Sequence, residues 1–313
     1  MTGCRPILTF LILLMAGPAT GQVVIVASQQ GARLTRIEGE AVAGSFTVPA
    51  SPAVVAADGR GWLYASHPDG RSISMIEPDG TVHRLPVQAQ AFGLAVEPDG
   101  SRLYVGDWSG NRVLCLSSAT GAVEGEIPVG PDPAALVLGE PGRLYVAERE
   151  GRSVGVIDTG TLQRVTDLPV GDGPFALAYD PSLARLYVAN VRSNDVTVID
   201  TAAGRVLTTI PVGTAPYGVA VAPGGGRVLV TNQHAATVSV IDARALAVAA
   251  TVPVGRYPEG VAILGGFAYV ANWFSDDVSV IDLAALKETR RLPVAEGPRT
   301  VAVARIASPE AAR

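Results

Sequence analysis

One phrase recurs seven times along the 313-residue chain, beginning at Val24, Leu63, Leu103, Leu144, Leu186, Val228 and Ala268. Successive copies start 39 to 42 residues apart. The clearest copy is Leu186-Tyr187-Val188-Ala189-Asn190, a short polar loop, then Val196-Thr197-Val198-Ile199-Asp200. Each half alternates in the period-2 manner of a strand and ends on a turn residue. A period near 40 residues with short paired strands in each copy predicts one β-propeller blade per repeat. The fold expected is therefore all-β, a seven-bladed β-propeller with four antiparallel strands per blade.

Residues 217–254 show how one repeat supplies four strands. Tyr217-Gly218-Val219-Ala220-Val221 is a small-residue strand suited to a crowded ring centre, and Pro223-Gly224-Gly225-Gly226 turns the chain. Val228–Asn232 and Val238–Asp242 follow as the second and third strands, and Ala249–Val254 as the outer one. A proline near the end of an outer strand blunts an exposed edge without losing a ladder bond. The carboxylates closing the third strand, Asp158, Asp200, Asp242 and Asp282, each precede a turn and are expected to accept backbone N–H bonds there. The Pro-Asp-Gly triplets at 68–70, 78–80 and 98–100 are read as hairpin turns. The chain begins with a second-type strand, Val23–Ser28, and ends with a first-type strand, Thr300–Arg305. Those two are expected to pair, so that both termini build one blade and lock the ring.

The first 21 residues differ in kind. Arg5 precedes an apolar run from Ile7 to Met15, and Ala19-Thr20-Gly21 places small residues before Gln22. This is the pattern of a secretory signal peptide cut after Gly21, and the run is shorter than the ~20 residues a bilayer span needs. The expected organisation is a leader at 1–21, a propeller at 22–307 and a tail at 308–313. The mature protein is expected to be a periplasmic or secreted monomer with no membrane span. Cys4 leaves with the leader, so Cys115 stands alone, read as a small buried hydrophobe. With a net charge of −5 and Lys287 as the sole lysine, a grip on nucleic acid through its phosphates is not expected.

Leu-Tyr-Val-Ala-Asn at 186–190, Ala-Tyr-Val-Ala-Asn at 268–272, Val-Leu-Val-Thr-Asn at 228–232, Val-Ser-Val-Ile-Asp at 238–242 and Ile-Pro-Val-Gly at 210–213 resemble the YVTN-type propeller repeat. That family includes bacterial surface-layer propellers and exported YncE-like proteins, and the resemblance covers nearly all of the mature chain. It implies a binding or interaction module, while relatives carry haem d1 or act as lactonases. The shared phrase lies in the strands and does not choose among these.

Function is sought where the copies disagree. The outer-to-inner and second-to-third connections of a four-stranded blade lie on one face. The residue opening each innermost strand, just after a proline or its equivalent, reads Ala53, Phe92, Ala134, Phe175, Tyr217, Glu259 and Arg299. A purely structural ring would repeat one small residue there. Three aromatics and two opposite charges predict an apolar channel mouth with polar anchors, the usual build of a small-molecule site. A bland alternative has Glu259 and Arg299 pairing across a blade interface while the aromatics plug the channel. Neighbouring loops add Arg256, Tyr257 and Glu296, and the second-to-third loops add Trp108, Gln233, His234, Trp273 and Phe274. His67 and His83 are read as structural and solvent-facing, which leaves His234 as the histidine to test. The polar column Ser28, His67, Asp107, Glu148, Asn190, Asn232 and Asn272 comes from seven different blades, too far apart to close on one ion. No HExxH, paired-cysteine, GxSxG, P-loop or EF-hand spacing occurs. The primary expectation is a non-catalytic exported propeller, without cofactor or metal, binding a partner protein or small ligand at the mouth. The alternative is a lactonase-like hydrolase using Glu259, Glu296 and Arg299, or a haem carrier with His234 as the axial ligand.

Overall fold

A computed structural model describes residues 20–307. Apart from Thr20 and Gly21, the predicted leader lies outside the described residues, as does the tail at 308–313. The described chain forms seven four-stranded antiparallel sheets. We number these blades I to VII. Blade I combines residues 20–47 with the strand Pro298–Ala307, and blades II to VII follow in order at 55–86, 91–128, 133–169, 174–211, 216–253 and 258–293.

Ring closure follows the sequence expectation. Thr20–Ser28 lies between Pro298–Ala307 and Arg33–Glu38, in register from Thr20 opposite Ala307 to Ser28 opposite Pro298. Both closing strands are longer than the sequence pattern marked. The first begins at Thr20, ahead of the predicted cleavage point, and the last runs on to Ala307.

The hydrophobic core is a set of clusters between neighbouring blades. The second-strand tyrosines Tyr64, Tyr104, Tyr187 and Tyr269 are buried in these seams. Cys115 is fully buried in the seam between blades III and IV. Burial pushes its thiol up to about 11, so it is not a reactive thiolate.

The structure explains two repeated phrases. Asp158, Asp242 and Asp282 each accept two backbone N–H bonds from residues two and three positions on, and Asp200 accepts one from Ala203. Their role is to hold turns. The glycine of Ile-Pro-Val-Gly at 210–213, and of Val-Pro-Val-Gly at 252–255, is set by the polar column: a Cβ on Gly213 would lie 2.5 Å from Asn232 Cγ, and one on Gly255 2.5 Å from Asn272 Cγ.

The polar column is bonded blade by blade rather than around a common centre, although Ser28 Oγ and the Oδ1 atoms of Asn190, Asn232 and Asn272 are buried with no hydrogen-bond partner among the described residues. Asn190, Asn232 and Asn272 each donate from Nδ2 to two side chains of the next strand. His67 bonds Ala50 O and Ser74 Oγ, and burial lowers its pKa. Glu148 accepts from Gly130 N, Ser153 Oγ and Arg164. Among the described residues, no group of three or more His, Cys, Asp or Glu side chains is placed to hold a metal ion. No helix among them is long and apolar enough to cross a membrane.

Candidate functional site at the channel mouth

The residues that vary at the channel mouth owe their placement to a β-bulge. In six blades the pairing of the innermost strand with its neighbour slips just after the strand starts, at Pro298, Ala91, Pro133, Pro174, Pro216 and Pro258. Two residues there oppose one on the partner strand, and one is left out of the ladder. The bulge holds the variable column: Arg299, Phe92, Ala134, Phe175, Tyr217 and Glu259. Behind it neighbouring inner strands run close together, since a Cβ on Gly218 would lie 2.2 Å from Glu259 O of the next blade.

The second-to-third loops fold over the same face. Trp108 N donates to Gln90 O, Gln233 N to Ala215 O, Trp273 N to Tyr257 O and Gln29 N to Gly297 O. The same tie recurs from Arg149 N to Asp132 O and from Val191 N to Gly173 O, six in all, and blade II lacks it because Pro68 has no N–H. It puts both sets of loop side chains around one opening. It also fixes Tyr257 in the left-handed region, at φ 60°.

Phe92, Phe175 and Tyr217 pack edge to face and offset, with centroids 5.8 Å apart for the first pair and 4.1 Å for the second. Trp108 folds in against Phe92 at 4.8 Å. Arg299 completes the layer, its guanidinium carbon 5.2 Å from the Phe92 centroid and 5.9 Å from that of Trp273. Both distances are within cation–π range. Phe92, Phe175, Tyr217 and Arg299 line two cavities, one on each side of them. Inside, between the inner strands, is a chamber of ≈170 Å³ that Glu259 also lines. Outside is a mouth of ≈340 Å³ that also touches Gln29, Asp69, Gln90, Trp108 and Arg149. The aromatic layer is thus a floor to the mouth and a roof to the inner chamber.

Arg299 is the hub of a polar network drawn from three blades. It donates to Gln29 Oε1 and to Tyr217 Oη, each at 2.7 Å, and its Nε lies 3.5 Å from Glu259 Oε2. Gln233 Nε2 donates to Glu259 Oε1 at 2.9 Å. Glu259 Oε2 is buried with no hydrogen-bond partner among the described residues. Burial therefore prevails over Arg299 and Gln233, and the Glu259 carboxyl is pushed up to about 7. Burial raises the Tyr217 phenol far above its ordinary value, so it stays protonated.

The structure brings Phe92, Trp108, Phe175, Tyr217, Glu259, Trp273 and Arg299 into one cluster. A second group forms at the rim: Tyr257 lies between His234, at 5.6 Å, and Phe274, at 4.7 Å. His234 and Phe274 are exposed and line neither chamber. Arg256 is exposed and turned back onto Phe274 O. Glu296 is exposed on its loop and does not join the cluster. Gln29, Gln90 and Arg149 were not singled out by sequence. Gln29 and Arg149 share the column of Trp108, Gln233 and Trp273, one residue past the polar column, and aligning that column would have found them.

No protein-family model matches the chain, and no curated protein does. Solved structures share its architecture. A functionally unknown protein from Desulfotomaculum acetoxidans superposes with a TM-score of 0.77 at 14% identity, over 91% of this chain and 99% of that one. Hydrazine synthase from Kuenenia stuttgartiensis gives 0.71 at 21% identity, over 82% and 96%. Virginiamycin B lyase from Staphylococcus aureus gives 0.71 at 16% identity, over 80% and 88%. At such identities the likeness is one of fold, the seven-bladed β-propeller, which unrelated functions share.

Proposed function

We propose that this protein is an exported, non-catalytic propeller of the YVTN-repeat kind, which binds a small ligand at the channel mouth. The observation that carries this reading is the bulge. In six blades the bulge of the innermost strand carries residues that do not repeat, and these gather into a single floor of three aromatics and an arginine. A mouth of ≈340 Å³ lies at the lower end of the range for small-molecule sites and suits a compact ligand. The leader-like pattern at 1–21 and the YVTN-like phrases support export and kinship.

Native mass spectrometry of protein recovered from a periplasm tests the reading. The wild-type protein is expected to carry a small-molecule adduct that Glu259→Ala/Arg299→Ala lacks, although the variant melts cooperatively. An adduct of equal occupancy in both proteins, or a protein-sized partner in place of a small molecule, would overturn it.

A further inference from the structure

Resting on that reading, we propose that the mouth selects a small organic monoanion: a carboxylate on a flat apolar body, its ring on the aromatic floor and its charge between Arg299 and Arg149. The first ground is the placement of charges. The charged side chains lining the mouth, among the described residues, are Arg149, Arg299 and Asp69, with Asp69 exposed at the rim. Glu259 lies 3.5 Å from Arg299 and faces it from the inner chamber. Asp69 stands in solvent at the rim, where its charge is screened, so Arg149 is the cation that no carboxylate inside the mouth faces. Arg149 faces Glu150 at 3.7 Å, but Glu150 is already engaged by Arg192, and the Arg149 Nε is buried with no hydrogen-bond partner among the described residues.

The second ground is that the aromatic faces best suited to a cation are taken. Arg299 lies over Phe92 and Trp273, and Arg149 lies 5.9 Å from the Trp108 centroid. A cationic ligand would meet occupied rings and two like charges. An anion would meet guanidinium edges with spare N–H donors, in the fork geometry that suits a carboxylate. The Gln29 and Gln90 amides border the same space. The Phe175 and Tyr217 rings, 4.1 Å apart, supply the apolar seat. With Asp69 at the rim and Glu259 beneath Arg299, the carboxylates already present favour a monoanion over a phosphate dianion. A bound anion would also draw on Arg299, the group that helps keep Glu259 ionised. Binding should therefore carry a proton onto Glu259, whose carboxyl already titrates near neutrality. The groups facing Glu259 are Arg299 from blade I and Tyr217 and Gln233 from blade VI.

Three probes of one shape test the proposal on the mature chain: 2-naphthoate, 2-naphthylmethylammonium and 2-naphthalenemethanol. Binding is read by calorimetry and by quenching of tryptophan fluorescence. Naphthoate is expected to bind at least about tenfold more tightly than the other two, a margin typical of a charge-assisted pair. Arg149→Gln and Arg299→Gln should each remove most of that margin without weakening the neutral probe. In buffers of different ionisation enthalpy, naphthoate should take up a proton near pH 7.5 in the wild type and none in Glu259→Gln. If the ammonium or the alcohol binds as tightly as naphthoate, and Phe175→Ala weakens all three, the anion preference is wrong and the mouth remains the site. If naphthoate binds and Phe175→Ala changes nothing, the mouth itself is the wrong location.

Discussion

Glu259 is ionised in one environment and protonated in another at the same pH, and this links a single side chain to the stability of the ring. In the unfolded chain its carboxyl titrates near 4.5, whereas in the folded protein it does so at about 7. Between those values the native state binds more protons than the unfolded state. Unfolding free energy therefore falls as pH rises through that window and levels off above it. At 1.36 kcal/mol per pKa unit, the change is on the order of 3 kcal/mol. Glutamine reproduces the protonated form and can still accept from Gln233. Glu259→Gln should thus flatten the decline in urea stability between pH 5 and pH 8, and exceed the wild type at pH 8. A variant that keeps the wild-type slope would show that the burial of Glu259 is not its cause. The turn carboxylates act in the opposite sense and in a separate window. Asp158, Asp242 and Asp282 are held below their ordinary value by backbone N–H donors, so their contribution is present above about pH 4 and fades on further acidification.

At the level of the strand, the repeated phrase and the varied column have different physical origins, and this decided what could be read from sequence. The second and third strands are buried on both faces and pair without a slip, so Leu186–Asn190 and Val196–Asp200 announce themselves through alternation and turn residues. The bulge on the innermost strand has no such signature, because it exists only as an offset between two paired strands. The sequence marked Phe92, Phe175, Tyr217, Glu259 and Arg299 as the residues after a proline, while the reason they project needed the register. Gln29 and Arg149 carry one sequence signal, their place one residue past the polar column, and as single polar loop residues they show nothing more. The folding back of Trp108 and Trp273 was equally invisible, since a loop tryptophan can point either way. One strand-level feature makes a sharp prediction. Gly255→Ala would put a methyl group 2.5 Å from Asn272 Cγ, a side chain pinned by Asp277 and Ser279. It should cost about 1–3 kcal/mol by overpacking. Gly226→Ala, with no atom within 4 Å of the new Cβ, should stay within about 0.5 kcal/mol of the wild type. Equal denaturant midpoints for the two variants would mean that Asn272 can move aside and the glycine is not a packing requirement.

At the scale of the molecule, the strand that closes the ring also completes the candidate site. Pro298–Ala307 pairs along the full length of Thr20–Ser28 and abuts the inner strands of blades II and VII. It also carries Arg299, whose partners Gln29, Tyr217 and Glu259 belong to blades I, VI and VII. An open ring would expose the edge of Thr20–Ser28 and strip Val24 and Val26 of the Val301 side of their cluster. A chain ending at Gly297 should therefore lose cooperative unfolding, or melt lower by upward of about 10 °C, given that 1 kcal/mol shifts Tm by about 2–4 °C at such sizes. Arg299→Ala, which keeps the closing strand, should melt within a few degrees of the wild type while losing ligand. Calorimetry of the two variants side by side separates closure from recognition. A truncated chain that melts like the intact one would show that the six remaining blades hold the ring without the C-terminal strand. A point variant that collapses like the truncation would show that the Arg299 network serves the fold before it serves a ligand.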